Sequence, residues 1–228
     1  MESLDLLANN IANASTGGYK GDSEFYTLFT SEAAANGAGD VASTQPMIQR
    51  QWTDFSQGLL EPTNNPFDFA LSGKGFFVVK GPSGPLYTRN GNFQVATNGT
   101  LITSDGYPLL ERGGEPLKAD PAQPVEVSLD GSVHQKGQSL GQVQLVDFKD
   151  PSALVKLGNN YFRNGGDQPP VDTTNTQIHQ GKIEASNISA SQAAVRLVSV
   201  MRQFEMMQKA ISISGDMSRK AIEEVARV

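Results

Sequence analysis

Cysteine is absent from the 228 residues, and histidine occurs only twice, at His134 and His179. The first absence excludes disulfides, a thiol nucleophile and thiolate zinc sites. The second excludes H-E-x-x-H and three-histidine metal sites. Basic charge is also short: 18 Lys and Arg face 24 Asp and Glu, a net charge of −6. That balance argues against a nucleic-acid binder, which needs a basic patch. No apolar run approaches the roughly 18 residues of a membrane-spanning helix, so membrane insertion is not expected. Residues 1–13 carry neither the basic start nor the apolar run of a cleaved secretory signal. Such a chain stays in the cytoplasm or leaves it by a route without signal cleavage. Ser72-Gly73-Lys74-Gly75 lacks the helix that must follow a phosphate loop and reads as a tight turn. Asp68 and Asp105 lie in turn sequence, where carboxylates cap backbone amides, and no carboxylate pair is singled out for sugar hydrolysis. No cofactor, metal or small-molecule substrate is expected.

What the chain has in quantity is turns, with 23 Gly and 12 Pro. Between about Gly58 and Gln180 they punctuate short apolar runs: Phe76–Val79, Leu86–Arg89, Phe93–Val95, Leu101–Thr103, Val125–Leu129 and Ser132–His134. Val143, Leu145 and Phe148 continue the pattern. Asn90-Gly91, Asn98-Gly99, Asp105-Gly106 and Asp130-Gly131 are hairpin signals of the type I′ kind. Turns every 8–12 residues or so predict an antiparallel sandwich or barrel. Gly165-Gly166 and Pro169-Pro170 mark a loop near its end.

Helical periodicity is confined to the two ends. Leu4, Leu7, Ala8, Ile11 and Ala12 form one apolar face, closed by Gly17 and Gly18. A helix of about 12 residues is marginal alone and needs a partner surface. From Ser189 or Ser191, either able to act as N-cap, a second helix is predicted to about Val228. Ala193, Leu197, Val200, Phe204, Met207 and Ile211 step by 4, 3, 4, 3, 4, a heptad seam. Val195, Val198 and Met201 widen it, and Ile222 and Val225 resume it beyond Gly215. About 40 residues span roughly 60 Å, three times what the first helix can cover, so the remaining apolar surface calls for other chains. The fold class is therefore α+β: a mostly-β central domain flanked by a short N-terminal helix and a long C-terminal coiled-coil-type helix. The expected division is 1–20, a connecting extended or mobile segment 21–57, the β domain 58–180, and the C-terminal helix 181–228. Within the connecting segment, Phe25, Tyr26, Leu28 and Phe29 cluster, and Ser31 to Thr44 reads as a mobile loop.

Several blocks, in order, carry a resemblance. Ala8-Asn9-Asn10-Ile11-Ala12-Asn13 precedes Thr16-Gly17-Gly18-Tyr19-Lys20. In the centre stand Asn65-Pro66-Phe67-Asp68-Phe69-Ala70, Gly73-Lys74-Gly75-Phe76-Phe77, Tyr87-Thr88-Arg89-Asn90-Gly91 and Asp105-Gly106-Tyr107-Pro108. Gln180-Gly181-Lys182-Ile183-Glu184-Ala185-Ser186-Asn187 follows. Together these resemble the motif blocks of the bacterial flagellar rod and hook family over nearly the whole chain. The length suits the rod members, and Gly21–Tyr26 with the Arg219–Val228 tail looks more like the proximal than the distal rod type. The resemblance implies a structural, non-enzymatic subunit of the periplasmic rod. It would leave through the flagellar type III export apparatus without signal cleavage, then assemble with other rod subunits and copies of itself. Its inner contacts would fall on Leu4, Leu7, Ile11, Leu197, Val200, Met201, Phe204, Met207 and Ile211. Asn9, Asn10 and Asn13 would satisfy backbone groups where the first helix ends, and Tyr19 would anchor the exit loop. The family also has a longer apolar segment before the Asn-Asn block, so by the resemblance either Met1 is an internal Met or the N-terminus is really shortened. From the residues alone, a periplasmic carbohydrate-active enzyme or an adaptor module remains open.

Overall fold

The computed structural model describes residues 2–30, 44–158, 160–173 and 175–225, with side chains described outside 2, 25–30, 44–50 and 221–225. The expected loop before Thr44 and the aromatic cluster at Phe25–Phe29 fall outside that description.

Helix α1 (Glu2–Ala12) turns Leu4, Leu7 and Ile11 to one side, with Leu7 buried and the other two half-buried. After the turn at Gly17-Gly18 the chain enters β1 (Asp22–Thr30), which pairs antiparallel with β2 (Thr44–Thr53) from Asp22↔Thr53 to Thr30↔Thr44. The ladder carries one register shift, between Phe25 and Tyr26. Nothing in the local sequence announces this pairing, because the two strands are separated by residues 31–43 of the sequence.

The β region follows with β3 (Leu60–Pro62), β4 (Phe69–Ser72), β5 (Phe76–Gly81), β6 (Gly84–Thr88), β7 (Phe93–Val95), β8 (Leu101–Thr103), β9 (Glu126–Val127), β10 (Ser132–Gln135), β11 (Gln138–Gln142), β12 (Leu145–Asp147), β13 (Leu154–Gly158), β14 (Tyr161–Asn164), β15 (Val171–Asp172), β16 (Gln177–Gln180) and β17 (Lys182–Glu184). Six of these form one antiparallel sheet in the order β13-β14-β6-β5-β12-β15. Strand residues alternate between its faces. Phe77, Val79, Leu86, Leu145 and Tyr161 join Phe69, Phe93, Leu101, Leu109 and Val133 in one core. Phe76, Val78, Tyr87, Val146 and Phe162 join Phe148, Leu154 and Phe55 in a second. Both faces are covered, which is why Phe76–Val79 and Leu145-Val146 read as unbroken apolar runs instead of alternating ones.

Three of the four hairpin signals form turns, but not type I′ turns. At Asn98-Gly99, Gly99 N donates to Ala96 O and Ala96 N to Thr100 O. The same pair of bonds recurs at Asp105-Gly106 and Asp130-Gly131, and again at Gly113-Gly114. Only the glycine before the returning strand takes a positive φ (Gly99 80°, Gly106 86°, Gly131 86°, Gly114 83°). Type I′ needs positive φ at both central residues, so these are three-residue loops, a type I turn closed by a glycine bulge. Asn90-Gly91 is not a hairpin turn at all, since neither residue has positive φ. Its glycine is there for space: a Cβ at Gly91 would stand 1.6 Å from Phe69 O. The strand expected at Val125–Leu129 shrinks to Glu126-Val127, and the Gln180 side chain supplies acceptor and donor to Val127 N and Val125 O beside it.

The chain then closes back on itself. Strand β16 pairs with β4 and β17 with β3, so the segment leaving the β region runs beside the one entering it. Helix α2 (Ala190–Val225) starts after Ser189, whose Oγ accepts from Gln192 N at 3.5 Å. It runs without a break through Gly215, and α1 packs along its first turns, where Ala193 is buried.

Candidate functional site

Two features stand out, and the motif blocks of the sequence feed the first. The first is the junction where the incoming and outgoing segments meet the β region. Lys20, from the turn after α1, points its Nζ at Glu184 Oε1, 2.6 Å away, and donates to Ser56 O at 2.6 Å. Arg89, just after β6, donates from Nη1 to Glu184 Oε2 at 3.1 Å and from Nη2 to Gly73 O at 2.8 Å. Gly58 N adds a 2.8 Å bond to Glu184 Oε1. The Lys20 and Glu184 side chains are 0% exposed and that of Arg89 4%. The Arg89 guanidinium also lies over the Phe76 ring, 5.4 Å from its centroid. Burial pulls Lys20 and Arg89 below their ordinary pKa values, and the Glu184 carboxylate between them opposes the shift. Ion pairs this dry hold only if every partner stays in place.

A shell of amides and one tyrosine surrounds the triad. Asn10 bridges helix α1 to β1, donating to Asp22 O at 2.7 Å and accepting from Asp22 N at 3.1 Å. Tyr19 is buried with its hydroxyl 3.0 Å from Asn9 Oδ1 and Asn10 Oδ1. Burial, with Asp22 nearby, pushes its pKa up to about 12. Asn13 Nδ2 closes the end of α1 on Asn9 O, and Thr16 Oγ1 reaches Asn13 Oδ1 at 3.3 Å. Gly18, at φ 68°, donates to Glu184 O, and a Cβ there would meet Asn90 N at 2.3 Å. Asn187 accepts from Gly21 N at 2.8 Å and donates to Asp54 O at 2.7 Å. Lys156 Nζ donates to Lys20 O and Asp22 Oδ2 while lying 4.1 Å from the Tyr19 ring centre. Thr88 Oγ1 donates to Asn160 O, and Asn160 Nδ2 donates to Gly17 O.

Other blocks serve the domain itself. Gly75 turns the chain into β5, where Phe76 and Phe77 enter the two cores. Asp105 Oδ2 accepts from the Tyr161 hydroxyl at 2.8 Å, and Gly106 and Tyr107 complete that turn. Gln180 ties β9 and Pro66, Gly181 N donates to Asp68 O, and Ser186 Oγ accepts from Ile188 N. The ion triad was missed in the sequence. Its signal is three charges of mixed sign, Lys20, Arg89 and Glu184, one in each of three motif blocks. Lys156 and Asn160 carry no such mark. His134 and His179 sit apart, on β10 and β16, and among the described residues no group of three or more His, Asp or Glu could hold a metal ion.

The second feature is the outer part of α2. Every residue from Met201 to Lys220 is exposed, including Phe204 (44%), Met207 (67%), Ile211 (72%) and Met217 (67%). Leu197 and Val200, nearer α1, are half-buried, and Leu7 is already covered by its own chain. The interface residues expected on α2 therefore lie along one helix, while Leu4, Leu7 and Ile11 sit where α1 meets its first turns. The side chains of Ile222 and Val225 lie outside those described.

Comparison with known proteins bears on both features. Residues 70–135 match the family model described as flagellar hook protein FlgE/F/G D1 domain, and residues 179–224 match flagellar basal body rod FlgEFG protein C-terminal. A flagellar basal-body rod protein FlgF of Caulobacter vibrioides is 34% identical, aligned over 99% of this chain and 92% of that protein. A second FlgF, from Mesorhizobium japonicum, is 32% identical over 96% and 90%. A flagellar basal-body rod protein FlgG from Buchnera aphidicola is 31% identical over 95% and 92%.

Proposed function

The chain belongs to the flagellar FlgE/F/G rod-protein family, and on that premise we propose that its exposed helix α2 is the surface on which the rod is built. The protein is a structural subunit of the flagellar basal-body rod, FlgF-like, that assembles with other rod and axial subunits. The contacts of the inner layer fall on Leu197, Val200, Met201, Phe204, Met207 and Ile211 of α2, continued by Leu4, Leu7 and Ile11 of α1. One observation carries this: twenty consecutive helical residues, Phe204, Met207, Ile211 and Met217 among them, are all exposed. Covering these four side chains would contribute about 1–2 kcal/mol each, allowing for their present partial burial. A long amphipathic helix with no partner in its own chain is stable only when other helices complete it. The subunit reaches the periplasm through the flagellar type III export apparatus, unfolded and without a cleaved signal. The zero count of cysteine supports this, because a chain without thiols cannot cross-link in an oxidising compartment.

Light scattering against concentration tests the reading on the full chain, with and without related rod subunits. Wild-type protein is expected to form open-ended assemblies. Phe204→Asp with Ile211→Asp is expected to remain monomeric with an unchanged unfolding transition. Equal assembly by that variant would overturn the proposal, and a finite one-to-one complex would favour an adaptor.

A further inference from the structure

Methionine is the only source of sulfur in the chain, with six Met and no Cys. Four of the six stand within one stretch of α2, at Met201, Met206, Met207 and Met217. All four are open to solvent, at 49%, 65%, 67% and 67% in that order. At about 100° of helix rotation per residue, Met201 and Met207 lie about 60° to either side of Phe204. On the same view Ile211 falls between Phe204 and Met207. Met206 and Met217 lie on the far side of the helix, about 140–160° away. Two thioethers therefore flank the aromatic centre of the proposed seam, and two stand off it.

We propose that Met201 and Met207 are oxidation sites of the unassembled subunit, and that their sulfoxides block the α2 contact. The oxidant is a peroxide. With hydrogen peroxide, the sulfur lone pair forms an S–O bond as the O–O bond breaks. The departing hydroxide takes the proton left on the transferred oxygen and leaves as water. Sulfur is oxidised by two electrons, and the peroxide is reduced by two. No thiol is present to consume the oxidant first. The product is a polar, chiral group where a flexible apolar one stood. In water the new oxygen is solvated. Between packed helices it must be buried without a hydrogen-bond partner, which is costly. A neighbouring helix laid over Phe204 would cover both sulfurs, so the mark is written before assembly and not after it. Methionine sulfoxide reductases reverse it.

This inference rests on α2 as the assembly surface, and its test separates the two. Full-length protein is treated with dilute hydrogen peroxide, and oxygen uptake at each methionine is read by peptide mass spectrometry. Trp52 is the only Trp and is half exposed, so its fluorescence checks that the oxidant spares the rings. Light scattering then compares each chain with its own untreated sample. Treated wild type is expected to need an about ten-fold higher concentration to assemble. Met201→Leu with Met207→Leu should shift by less than about two-fold, since leucine keeps the volume and removes the sulfur. Met206→Leu with Met217→Leu should keep most of the wild-type sensitivity. Sulfoxide reductases should restore assembly, and helix content by circular dichroism should stay constant throughout. Material assembled before treatment should take up oxygen at Met201 and Met207 at least about five-fold more slowly than the free chain. Oxidised wild type that assembles like its untreated sample overturns the inference and leaves the α2 reading intact. So does a free chain in which Met201 and Met207 stay unoxidised, resistance carried by Met206→Leu with Met217→Leu, or loss of helix on oxidation. An untreated chain that never assembles overturns both.

Discussion

The junction and the outer half of α2 treat the same problem, an isolated group wanting a partner, in opposite ways. At the junction three charges are fully withdrawn from water, and each finds its partner inside the chain: Lys20 and Arg89 on Glu184, with Ser56 O, Gly73 O and Gly58 N filling other positions. Along Met201–Lys220 apolar groups remain exposed to water. The first arrangement is self-contained and locks three distant segments together: residue 20, the end of β6 and β17. The second leaves apolar surface exposed, as the proposed assembly surface requires. A subunit that must fold before it polymerises needs both kinds, one to fix the geometry of the ends and one to leave them sticky.

The largest effect should come from emptying the centre of the junction. Glu184→Ala leaves Lys20 and Arg89 buried without their counter-charge and Gly58 N without its acceptor. Breaking a buried pair of this kind costs about 3–5 kcal/mol. Urea unfolding of the purified chain should show that loss, and the N-terminal segment should become protease-sensitive. A loss below about 1 kcal/mol, the value of exposed pairs, would mean the triad contributes no more than the surface pair Arg112–Asp172, held at 2.9 Å with both side chains more than half exposed.

A second, smaller effect is readable in pH. Burial, with Asp22 nearby, pushes the Tyr19 hydroxyl from its ordinary 10.0 up to about 12 in the folded chain. A raised pKa means that the folded form retains a proton the unfolded form gives up. The stability Tyr19 contributes is therefore complete below pH 10 and drains away as pH rises towards 12. Two pH units correspond to about 2–3 kcal/mol. Tyr19→Phe should be less stable than wild type at neutral pH through the lost hydroxyl bonds, yet should show a flatter decline between pH 10 and 12. Parallel declines would remove Tyr19 from the buried junction.

The difference between the two regions also governs how much of each was legible in the sequence. The stripe on α2 was plain because a heptad seam is a local pattern, written within one helix at Leu197, Val200, Phe204, Met207 and Ile211. The β architecture was legible through its turns and apolar runs, although the turns at Asn98-Gly99, Asp105-Gly106 and Asp130-Gly131 use one positive φ where two were expected. The junction was visible only as motif blocks. Lys20 and Glu184 are separated by 164 positions, and no local periodicity connects them. The β1–β2 ladder escaped for the same reason. Pairing across a long loop is set by contacts that sequence spacing does not encode.

The smallest effect sharpens the comparison most. Gly215 sits in the exposed part of α2, where a Cβ would meet nothing within 4 Å. Gly215→Ala should stabilise the helix by about 0.5–1 kcal/mol, because alanine has less backbone freedom to lose. Every residue from Met201 to Lys220 is exposed, so the gain should stay local. Hydrogen exchange should report it as amides around residues 210–220 becoming up to about five-fold more protected, while the urea midpoint of the domain stays put. If the midpoint rose by the full amount, the helix would be folding as one unit with the junction. The outer half of α2 would then draw its order from its own chain, and the contrast between a closed junction and an open helix would fail.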